Sequence, residues 1–316
     1  MRNILLVGGA GYVGGAVTQL LSNNTNYNLT VLDSLIYEES YRKNINFINC
    51  DIRDYQKINN IFKNFDVVIW MAALVGDGAC EIDKSLTYEV NVNAVKNLTN
   101  NYNGKIIFFS TCSVYGHKDS IIDETSSLNP LSTYAKSKID AENILNKSNA
   151  IIFRLGTLFG LSDDFSRIRM DLVVNLLTMK SIKEKKIKVF GGDQYRPLLH
   201  VKDVARAVES VLEKDIFNYC IYNLSYKNFK IIELAKMIKS NFENIELILD
   251  TQMFQDTRNY KVSSEKFNSF YNFIYNFDVN YGVNELKKII SENRIVDLSN
   301  PRYSNVDFLK NYLKNE

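Results

Sequence analysis

Histidine and cysteine are scarce in this chain of 316 residues, which has only two histidines and four cysteines. The cysteines form no Cys-x-x-Cys pair and lie far apart in the sequence, at Cys50, Cys80, Cys112 and Cys220. That spacing argues against a zinc site and against a disulfide framework, so no metal site is predicted. Because only His117 and His200 are present, we expect acid–base catalysis to depend on other side chains.

The chain also lacks an excess of charge of one sign and lacks a long apolar run. Its 38 basic and 36 acidic residues leave a net charge of +2, which excludes nucleic-acid binding through bulk charge. No run of about 18 apolar residues occurs, so no transmembrane helix is expected. The N-terminal segment becomes glycine-rich at Gly8, where a signal peptide would need its apolar stretch. We therefore expect a cytoplasmic protein with no nucleic-acid and no membrane partner.

Short runs of branched and aromatic residues alternate with helical patterns over the first two thirds of the chain. The predicted strands are Asn3–Val7, Asn28–Leu32, Asn46–Asn49, Asp66–Met71, Lys105–Phe109, Ala150–Phe153 and Cys220–Leu224. The predicted helices are Gly11–Ser22, Tyr55–Lys63, Leu86–Asn100, Ser132–Asn146 and Val201–Leu212. This alternation predicts an α/β fold of the Rossmann type, with a doubly wound parallel sheet covered by helices on both faces.

The regular alternation weakens after Gly160, which predicts a smaller C-terminal α/β lobe for the substrate. Its expected elements are a helix over Ile168–Met179, a strand over Lys186–Phe190 and a helix over Ile231–Lys239. We expect the dinucleotide-binding domain to comprise residues 1–165 and to receive about 198–225 as well. The smaller lobe would then comprise 166–197 and 226–316, with a polar, unpatterned tail from Ser291.

The first predicted strand runs into the first helix through a turn with glycines at positions 8, 11 and 14. Gly8 permits a tight turn, Gly11 lets the backbone approach a pyrophosphate, and Gly14 lets helix and strand pack closely. The helix N-terminus, at Tyr12 and Val13, presents N–H groups and the positive end of its dipole to the phosphates. A purely structural turn between strand and helix is the alternative for such a pattern.

Acidic residues after the next two strands favour the dinucleotide. Asp33 ends the second strand, close to the expected distance of ~20 residues beyond the turn. A carboxylate there accepts hydrogen bonds from ribose hydroxyls and repels a 2′-phosphate, which predicts NAD rather than NADP as the cofactor. Asp51 and Ile52 follow the third strand, where such folds often flank the adenine, and a solvated loop is the alternative for them.

Tyr134 and Lys138 stand four residues apart in the predicted helix over Ser132–Asn146 and therefore share one face. A lysine ammonium beside a phenol favours the phenolate and lowers the pKa of the tyrosine, so Tyr134 is a candidate base. A surface pair on a helix is the alternative. The fifth strand favours the catalytic interpretation, because it ends at Ser110 and Thr111 and places hydroxyls at the carboxyl edge of the sheet.

Together these motifs resemble the extended short-chain dehydrogenase/reductases, in their nucleotide-sugar epimerase/dehydratase branch. The resemblance extends to about Glu285 and includes Met71-Ala72-Ala73, Asn91-Val92-Asn93, Val114-Tyr115-Gly116 and the run from Arg196 to Val204. It implies that Tyr134 is the base, that Lys138 holds the nicotinamide ribose and tunes Tyr134, and that Thr111 hydrogen-bonds the reacting sugar oxygen. It also implies cofactor contacts from Ala72, Ala73, Asn93 and Ser110.

The resemblance also bears on the reaction. The 4,6-dehydratases of this family carry an acidic residue at the position of Ser113, or at those of both Cys112 and Ser113, which this chain lacks. C4 oxidation and C4 epimerisation of a nucleotide sugar therefore stay open, and a non-catalytic NAD-binding sensor is a third hypothesis. Within the family, the segments Ala73–Asp77 and Ser110–Ser113 resemble those of bacterial enzymes that form 4-keto GDP-heptoses for capsule polysaccharides.

A nucleotide-diphosphate sugar needs cationic, forked donors. Arg196 and Arg258 match arginines that bind phosphate and nucleotide in the family, and Thr157 replaces its usual pyrophosphate-contacting asparagine. The further candidates for substrate contact are Asp77, Ser113 and Asn175, with a plain surface role as the alternative for each. The family also implies a homodimer or higher homo-oligomer, formed through second apolar faces of the helices over 86–100 and 132–146.

Overall fold

The computed structural model describes residues 1–250, 259–295 and 297–314, and its largest element is a seven-stranded parallel sheet. The strands are, in chain order, β1 (Arg2–Val7), β2 (Tyr27–Asp33), β3 (Asn46–Asn49), β4 (Val67–Trp70), β5 (Lys105–Thr111), β6 (His117–Ile122), β7 (Ala150–Leu155), β8 (Thr157–Phe159), β9 (Lys186–Phe190), β10 (Tyr195–His200), β11 (Cys220–Leu224), β12 (Lys227–Lys230), β13 (Glu246–Asp250) and β14 (Asn259–Val262). The large sheet has the order β11-β7-β5-β4-β1-β2-β3.

The helices are, in chain order, α1 (Tyr12–Leu21), α2 (Tyr55–Phe62), α3 (Asp77–Ile82), α4 (Lys84–Tyr88), α5 (Ala94–Asn101), α6 (Thr133–Leu145), α7 (Val173–Glu184), α8 (Val201–Lys214), α9 (Ile231–Lys239), α10 (Glu265–Tyr271), α11 (Val279–Ser291) and α12 (Asn305–Tyr312). A π-helical turn over Glu89–Asn93 joins α4 to α5, and 3-10 turns span Cys112–Tyr115 and Pro301–Tyr303. In the described part of the chain, none of these helices has the length and apolar character needed to cross a bilayer.

The sheet is buried on both faces because successive side chains of a strand point in opposite directions. In β1, Ile4 and Leu6 pack in one apolar cluster with α1 and α8, whereas Leu5 and Val7 pack in another with α2, α5 and α6. All four side chains are fully buried. The winding of the chain reverses between β1 and β4, which opens a crevice at their carboxyl ends. The predicted Rossmann-type α/β fold is confirmed.

Smaller sheets complete the molecule beside this core. Strand β10 pairs with β8 and with β12, while β9 pairs with β13 and β6 with β14. Helices α7, α9 and α11 pack against the first two of these sheets in a separate apolar cluster that includes Val174, Leu234 and Val283. The substrate half of the crevice is therefore walled by α7, β9 and β10.

The helix predicted over Ile168–Met179 begins only at Val173, as α7. Residues 168–172 are irregular because their backbone groups bond to side chains and segments outside a helix. The Met170 N–H, for example, donates to the carbonyl oxygen of Tyr303 over 2.9 Å. Long-range contacts thus override a helical sequence pattern here.

The tail from Ser291 is more ordered than its sequence pattern indicates, since it contains α12. This helix packs against α3 and buries Leu309 in the same cluster as Leu74 and Cys80. Helix α12, which was expected in the smaller lobe, thus packs on the half of the molecule that contains the large sheet.

The helices that were expected to form the dimer carry both polar and apolar side chains on their outer surface. The side chains that α4, α5, the π turn and α6 expose are mostly polar and include Glu89, Asn93, Lys96, Lys136 and Asn143. Apolar side chains also stay accessible on both helices, since Tyr88 is 37% exposed and Val92, Ile139 and Ile144 are only half-buried. Homo-oligomerisation stays a prediction.

A buried ion pair joins α6 to the sheet. The Arg154 guanidinium on β7 donates to both Glu142 carboxylate oxygens, with Nε–Oε1 at 3.0 Å and Nη2–Oε2 at 2.6 Å. The Ser110 hydroxyl donates to Glu142 Oε1 over 2.5 Å, and Arg154 Nη1 donates to the Tyr115 hydroxyl oxygen over 2.8 Å. Both charged side chains are only 3% exposed, so the charge of each is compensated by the other and not by water.

Replacing Arg154 by Met should leave the Glu142 carboxylate buried without a positively charged partner. We expect Arg154→Met to lower the free energy of unfolding by about 3–5 kcal/mol, measured by urea denaturation. The control is Lys105→Met, which breaks a surface pair to Asp215 and should cost no more than about 1 kcal/mol. Equal effects of the two variants would contradict this account of the ion pair.

Candidate active site

A cavity of about 790 Å³ lies at the carboxyl ends of the central strands. It is lined by most of the residues that the sequence predicts for the site: Gly8, Gly11, Tyr12, Val13, Gly14, Asp33, Asp51, Ile52, Ala72, Ala73, Asp77, Ser110, Thr111, Ser113, Tyr134, Lys138, Thr157 and Arg196. Asn93 and Asn175 are not part of its lining. Arg258 lies outside the described residues.

The glycine turn forms one wall of this cavity. A Cβ atom on Gly8 would lie 2.5 Å from the Ala72 nitrogen, and one on Gly14 would lie 2.1 Å from the Gly8 carbonyl oxygen. These two glycines are required by close backbone packing. A Cβ atom on Gly11 would meet only the Gly8 carbonyl oxygen, at 3.4 Å, so the space beside Gly11 is open. The turn thus leaves room for a ligand beside Gly11.

The N-terminus of α1 can bind an anion. Its N-cap residue is Gly11, so no side chain bonds to the first N–H groups of the helix. Such N–H groups lack partners within a helix and attract phosphate. The Tyr12 hydroxyl donates to the Gly160 carbonyl oxygen over 2.8 Å, which leaves the backbone N–H as the group that Tyr12 offers to a ligand.

Asp33 lies where a ribose would be held. Its Oδ2 accepts a hydrogen bond from the Ala10 N–H over 3.0 Å, and its Oδ1 accepts one from the Leu35 N–H over 2.9 Å. Burial raises the pKa of Asp33, against the opposing effect of these backbone hydrogen bonds. Each oxygen keeps acceptor capacity for a hydroxyl group. With Asp51 and Ile52 beside it, this wall of the cavity fits the adenosine half of a dinucleotide.

The catalytic candidates meet at the carboxyl end of β5. Helix α6 places Tyr134 and Lys138 one turn apart on its buried face, at 9% and 4% exposure. The Thr111 side chain lies close enough to Tyr134 to oppose the rise of its pKa. Lys138 Nζ donates to the Phe109 carbonyl oxygen over 2.9 Å and lies 4.9 Å from the centroid of the Phe108 ring. Thr111, Tyr134 and Lys138 therefore share one end of the cavity.

The electrostatics of this set differ from the prediction. Burial raises the pKa of Tyr134, although the Arg169 charge and the Thr111 hydrogen bond oppose this effect. Burial also lowers the pKa of Lys138 to about 8. The prediction of a lowered Tyr134 pKa is therefore wrong for the ligand-free protein, because desolvation outweighs the effects of Arg169 and Thr111. An additional positive charge in the cavity would favour the phenolate.

Asn93 does not contact the cavity, contrary to the prediction. Its Nδ2 donates to Glu89 Oε1 over 3.0 Å on the exposed side of the π turn. Asn91, two residues earlier, faces inward because residues two apart on a helix do not share a face. It accepts from the Leu74 N–H over 2.9 Å and donates to Ser137 Oγ over 3.1 Å. Asn91 thus fixes the loop after β4 against the catalytic helix.

Asn175 is also not a substrate contact. Its Oδ1 accepts from the Gly160 N–H over 2.9 Å, and its Nδ2 donates to the carbonyl oxygens of Gly160 and Arg169, over 3.1 and 2.8 Å. These bonds use both N–H groups of its amide. Asn175 is fully buried and holds the irregular segment before α7 in place.

The loop carboxylate of Asp77 lies at the catalytic end of the cavity. The Ser132 hydroxyl donates to Asp77 Oδ1 over 2.6 Å and accepts from the Ala135 N–H over 3.1 Å as the cap of α6. Cys112 does not line the cavity; its thiol donates to the Arg154 carbonyl oxygen over 3.2 Å, and burial raises its pKa. Cys112 is therefore packing, not a nucleophile.

Several residues that the sequence analysis missed also line the cavity. They are charged or belong to α12, and include Arg167, Arg169, Asp171, Lys180, Lys188, Asn305 and Leu309. The Arg-x-Arg-x-Asp run over 167–171 could have indicated the charged members of this set, because its charged residues interrupt an otherwise apolar segment. Nothing in the sequence pattern connects Asn305 or Leu309 to the site.

Comparisons with known proteins give the chain a family context. Residues 4–225 match the model of the NAD dependent epimerase/dehydratase family. A putative UDP-glucose 4-epimerase of Methanocaldococcus jannaschii is 32% identical over 224 residues, which cover 65% of this chain and 71% of that protein. N-acetyl-alpha-D-glucosaminyl-diphospho-ditrans,octacis-undecaprenol 4-epimerase of Escherichia coli O157:H7 is 30% identical over 229 residues, covering 70% of this chain and 66% of that protein.

A solved structure shows the same fold. MoeE5 in complex with UDP-glucose and NAD superposes with a TM-score of 0.79, covering 92% of this chain and 99% of that one. At 19% identity, this likeness concerns the fold.

The open space beside Gly11 gives a direct test of the cofactor wall. Alanine tolerates the Gly11 backbone, at φ −74°, so Gly11→Ala should keep its thermal stability. Its methyl group would occupy the space left for a phosphate, and we expect the Kd for NADH, from fluorescence titration, to rise about tenfold or more. Gly14→Ala should instead destabilise the fold, because its Cβ would strike backbone. Unaltered NADH binding by Gly11→Ala would exclude this wall as the phosphate site.

The buried Lys138 ammonium should leave a signature in stability. Between pH 8 and 10.5 the folded protein has released the Lys138 proton that the unfolded chain still holds, so stability rises with pH. Lys138→Met lacks this gain. The difference in unfolding free energy, wild type minus variant, should therefore grow by about 2 kcal/mol between about pH 7 and about pH 10.

Urea denaturation at each pH measures this difference. The matched control is Lys136→Met, an exposed neighbour on the same helix, whose stability should follow the wild type at every pH. Parallel curves for wild type and Lys138→Met would show that the lysine pKa is not lowered.

Proposed function

The chain belongs to the NAD dependent epimerase/dehydratase family, and we propose that it uses NAD to oxidise the C4 hydroxyl of a nucleotide-diphosphate sugar. The observation that carries the proposal is the meeting of Thr111, Tyr134 and Lys138 at one end of a cavity whose other end fits a dinucleotide. The product would be the 4-keto sugar, formed by loss of a proton from the hydroxyl oxygen and of a hydride from C4.

The chain's own residues would then have distinct roles. Tyr134 takes the proton of the C4 hydroxyl, and Thr111 donates a hydrogen bond to the same oxygen. Lys138 holds the nicotinamide ribose with its ammonium group. When bound, NAD supplies the hydride acceptor and a positive charge, which favours the Tyr134 phenolate. This positive charge opposes the effect of burial on the pKa of Tyr134.

The substrate end supports a nucleotide diphosphate. Lys180, Lys188 and Arg196 line this part of the cavity, and Lys188 Nζ pairs with Asp250 Oδ2 over 2.7 Å. We propose that Arg196, together with Arg258, contacts the diphosphate and that Asp77, Ser113 and Thr157 contact the sugar. The lack of an acid at positions 112 and 113 supports oxidation without dehydration.

A GDP-heptose is the substrate that we favour, in a cytoplasmic pathway to a capsule polysaccharide. The support for this choice is the likeness of the segments Ala73–Asp77 and Ser110–Ser113 to bacterial enzymes that form 4-keto GDP-heptoses. We also propose a homodimer or higher homo-oligomer, which size-exclusion chromatography with light scattering would test.

Epimerisation at C4 is the second candidate, favoured by the two relatives whose printed names are 4-epimerases. It begins with the same oxidation, after which the keto sugar turns over and takes the hydride back on its other face. A non-catalytic NAD-binding sensor has less support, because Tyr134 and Lys138 are both present. Incubation with NAD and GDP- or UDP-sugars distinguishes the three functions: net NADH with a keto sugar, an epimer without net NADH, or no turnover.

Removing the Tyr134 hydroxyl tests the assigned base. We expect Tyr134→Phe to lower kcat by about 100-fold or more while the Kd for NADH stays unchanged. The control is Tyr88→Phe, an exposed tyrosine on α4, whose kcat should match the wild type. Full turnover by Tyr134→Phe would mean that another group takes the proton.

A further inference from the structure

Two arginines of the irregular segment before α7 line the cavity without a role in the proposed chemistry. Arg167 and Arg169 are only 6% and 9% exposed. Burying a guanidinium in this way is costly unless carboxylates or a ligand anion compensate the charge. The partners of each arginine therefore indicate whether a ligand is needed.

Their compensation by the protein is incomplete. Arg169 donates from Nε and Nη2 to the two carboxylate oxygens of Asp171, over 2.6 and 2.9 Å, while its Nη1 has no partner among the described residues. Arg167 donates from Nη1 to the Arg302 carbonyl oxygen over 2.7 Å and from Nη2 to Asn305 Oδ1. Both Arg167 partners are neutral, so one positive charge at this wall lacks a hydrogen-bonded carboxylate in the described part of the chain.

The position of the arginines indicates which anion they would meet. The guanidinium carbon of Arg169 lies 6.0 Å from the ring centroid of Tyr12, the first residue of α1. A Cβ atom on Gly15 would lie 2.0 Å from Ser166 Oγ, so this segment covers the start of the same helix. The segment that carries Arg169 therefore packs on the first turn of α1, whose N-terminus can bind a phosphate.

Arg167 lies toward the adenosine end of the cavity. Its guanidinium carbon is 3.9 Å from the ring centroid of Tyr37, in the loop that follows Asp33. Its backbone N–H donates to Glu38 Oε1 in the same loop over 2.6 Å. The cations that line the substrate end come from other elements, α7, β9 and β10. The two arginines thus lie along the dinucleotide half of the cavity.

We propose that Arg167 and Arg169 form a second anion-binding wall, which contacts the pyrophosphate of the dinucleotide opposite the N-terminus of α1. This inference rests on the proposed function in that it takes the dinucleotide as the cofactor. The pyrophosphate carries the negative charge that this wall lacks, and a guanidinium donates to it in a forked geometry.

Helix α12 holds this wall in place through Asn305. The Asn305 backbone N–H donates to Asp171 Oδ2 over 3.0 Å, its Nδ2 donates to the Val75 carbonyl oxygen over 2.7 Å, and its Oδ1 accepts from Arg167. One residue therefore connects both arginines to the loop after β4. Phe308 of the same helix packs on Tyr37 with 4.8 Å between ring centroids. Asn305 is therefore a positioning residue for the wall.

Binding measurements without any sugar substrate test the wall. We expect Arg167→Met and Arg169→Met to bind both NADH and ADP about 10- to 100-fold more weakly than the wild type, by calorimetry. Adenosine, which lacks the pyrophosphate, should bind all three proteins equally. Arg169→Lys keeps a charge beside Asp171 and should lose less affinity than Arg169→Met, which tests the same role if the methionine variant folds poorly. Arg196→Met is the control from the substrate end and should bind NADH like the wild type.

The position of Asn305 is tested by the rate of NADH release in stopped-flow fluorescence. We expect Asn305→Ala to release NADH about tenfold faster, which is the effect of losing roughly one charged hydrogen bond. Lys310→Ala, on the exposed side of α12, is the control and should release it at the wild-type rate.

Three outcomes would overturn the inference. Wild-type affinity of both arginine variants for ADP would remove the arginines from the pyrophosphate site, while leaving the proposed oxidation intact. A loss of affinity confined to the nucleotide sugar would assign them to the substrate instead. Failure of the wild-type protein to bind NADH would contradict the proposed function as well, so the two failures are distinguishable.

Discussion

A single buried carboxylate, Glu142, determines where the catalytic helix lies. It is two turns beyond Tyr134 and one turn beyond Lys138 on α6, so all three side chains point the same way. Glu142 accepts hydrogen bonds from Arg154 on β7 and from Ser110 at the end of β5. Because both charges are shielded from water, separating the pair is costly, and the pair therefore fixes α6 against β5 and β7. The catalytic end of the cavity depends on this interaction.

The rest of the cavity is closed by segments that are distant in sequence. The glycine turn and Asp33 form the floor of the dinucleotide half, and the segment around Arg167 and Arg169 forms its opposite wall. Helix α12 joins that wall through Asn305, whose Oδ1 accepts a hydrogen bond from Arg167, 138 residues earlier in the chain. Desolvation is the common consequence: it raises the pKa of Tyr134 and lowers that of Lys138. In the ligand-free site, burial therefore favours the neutral form of both groups.

The sequence was sufficient where local spacing determines geometry. Gly8, Gly14 and Asp33 follow from the strand–turn–helix pattern, and the shared face of Tyr134 and Lys138 follows from helical periodicity. It was insufficient where a side chain's partner lies far along the chain. Asn175 carries the right chemistry for a ligand but bonds to the backbone instead, which only the fold reveals.

The sequence also could not show which of two nearby asparagines faces the core. Asn91 and Asn93 look alike in sequence, yet only the former faces the core. The pKa of Tyr134 could not be predicted either. It depends on burial, which is a property of the whole molecule and is not contained in a Tyr-x-x-x-Lys pattern.

If the protein moves a hydride from C4 of the sugar to NAD, a deuterium label at that carbon should move with it. The protein would be incubated with NAD and C4-deuterated nucleotide sugars, a GDP-heptose among them, and the cofactor and sugar would be analysed by mass spectrometry. The account predicts that deuterium appears on the reduced cofactor and is lost from the keto sugar. Deuterium that stays on C4 of a sugar that has reacted, with no labelled cofactor at any time, would contradict it.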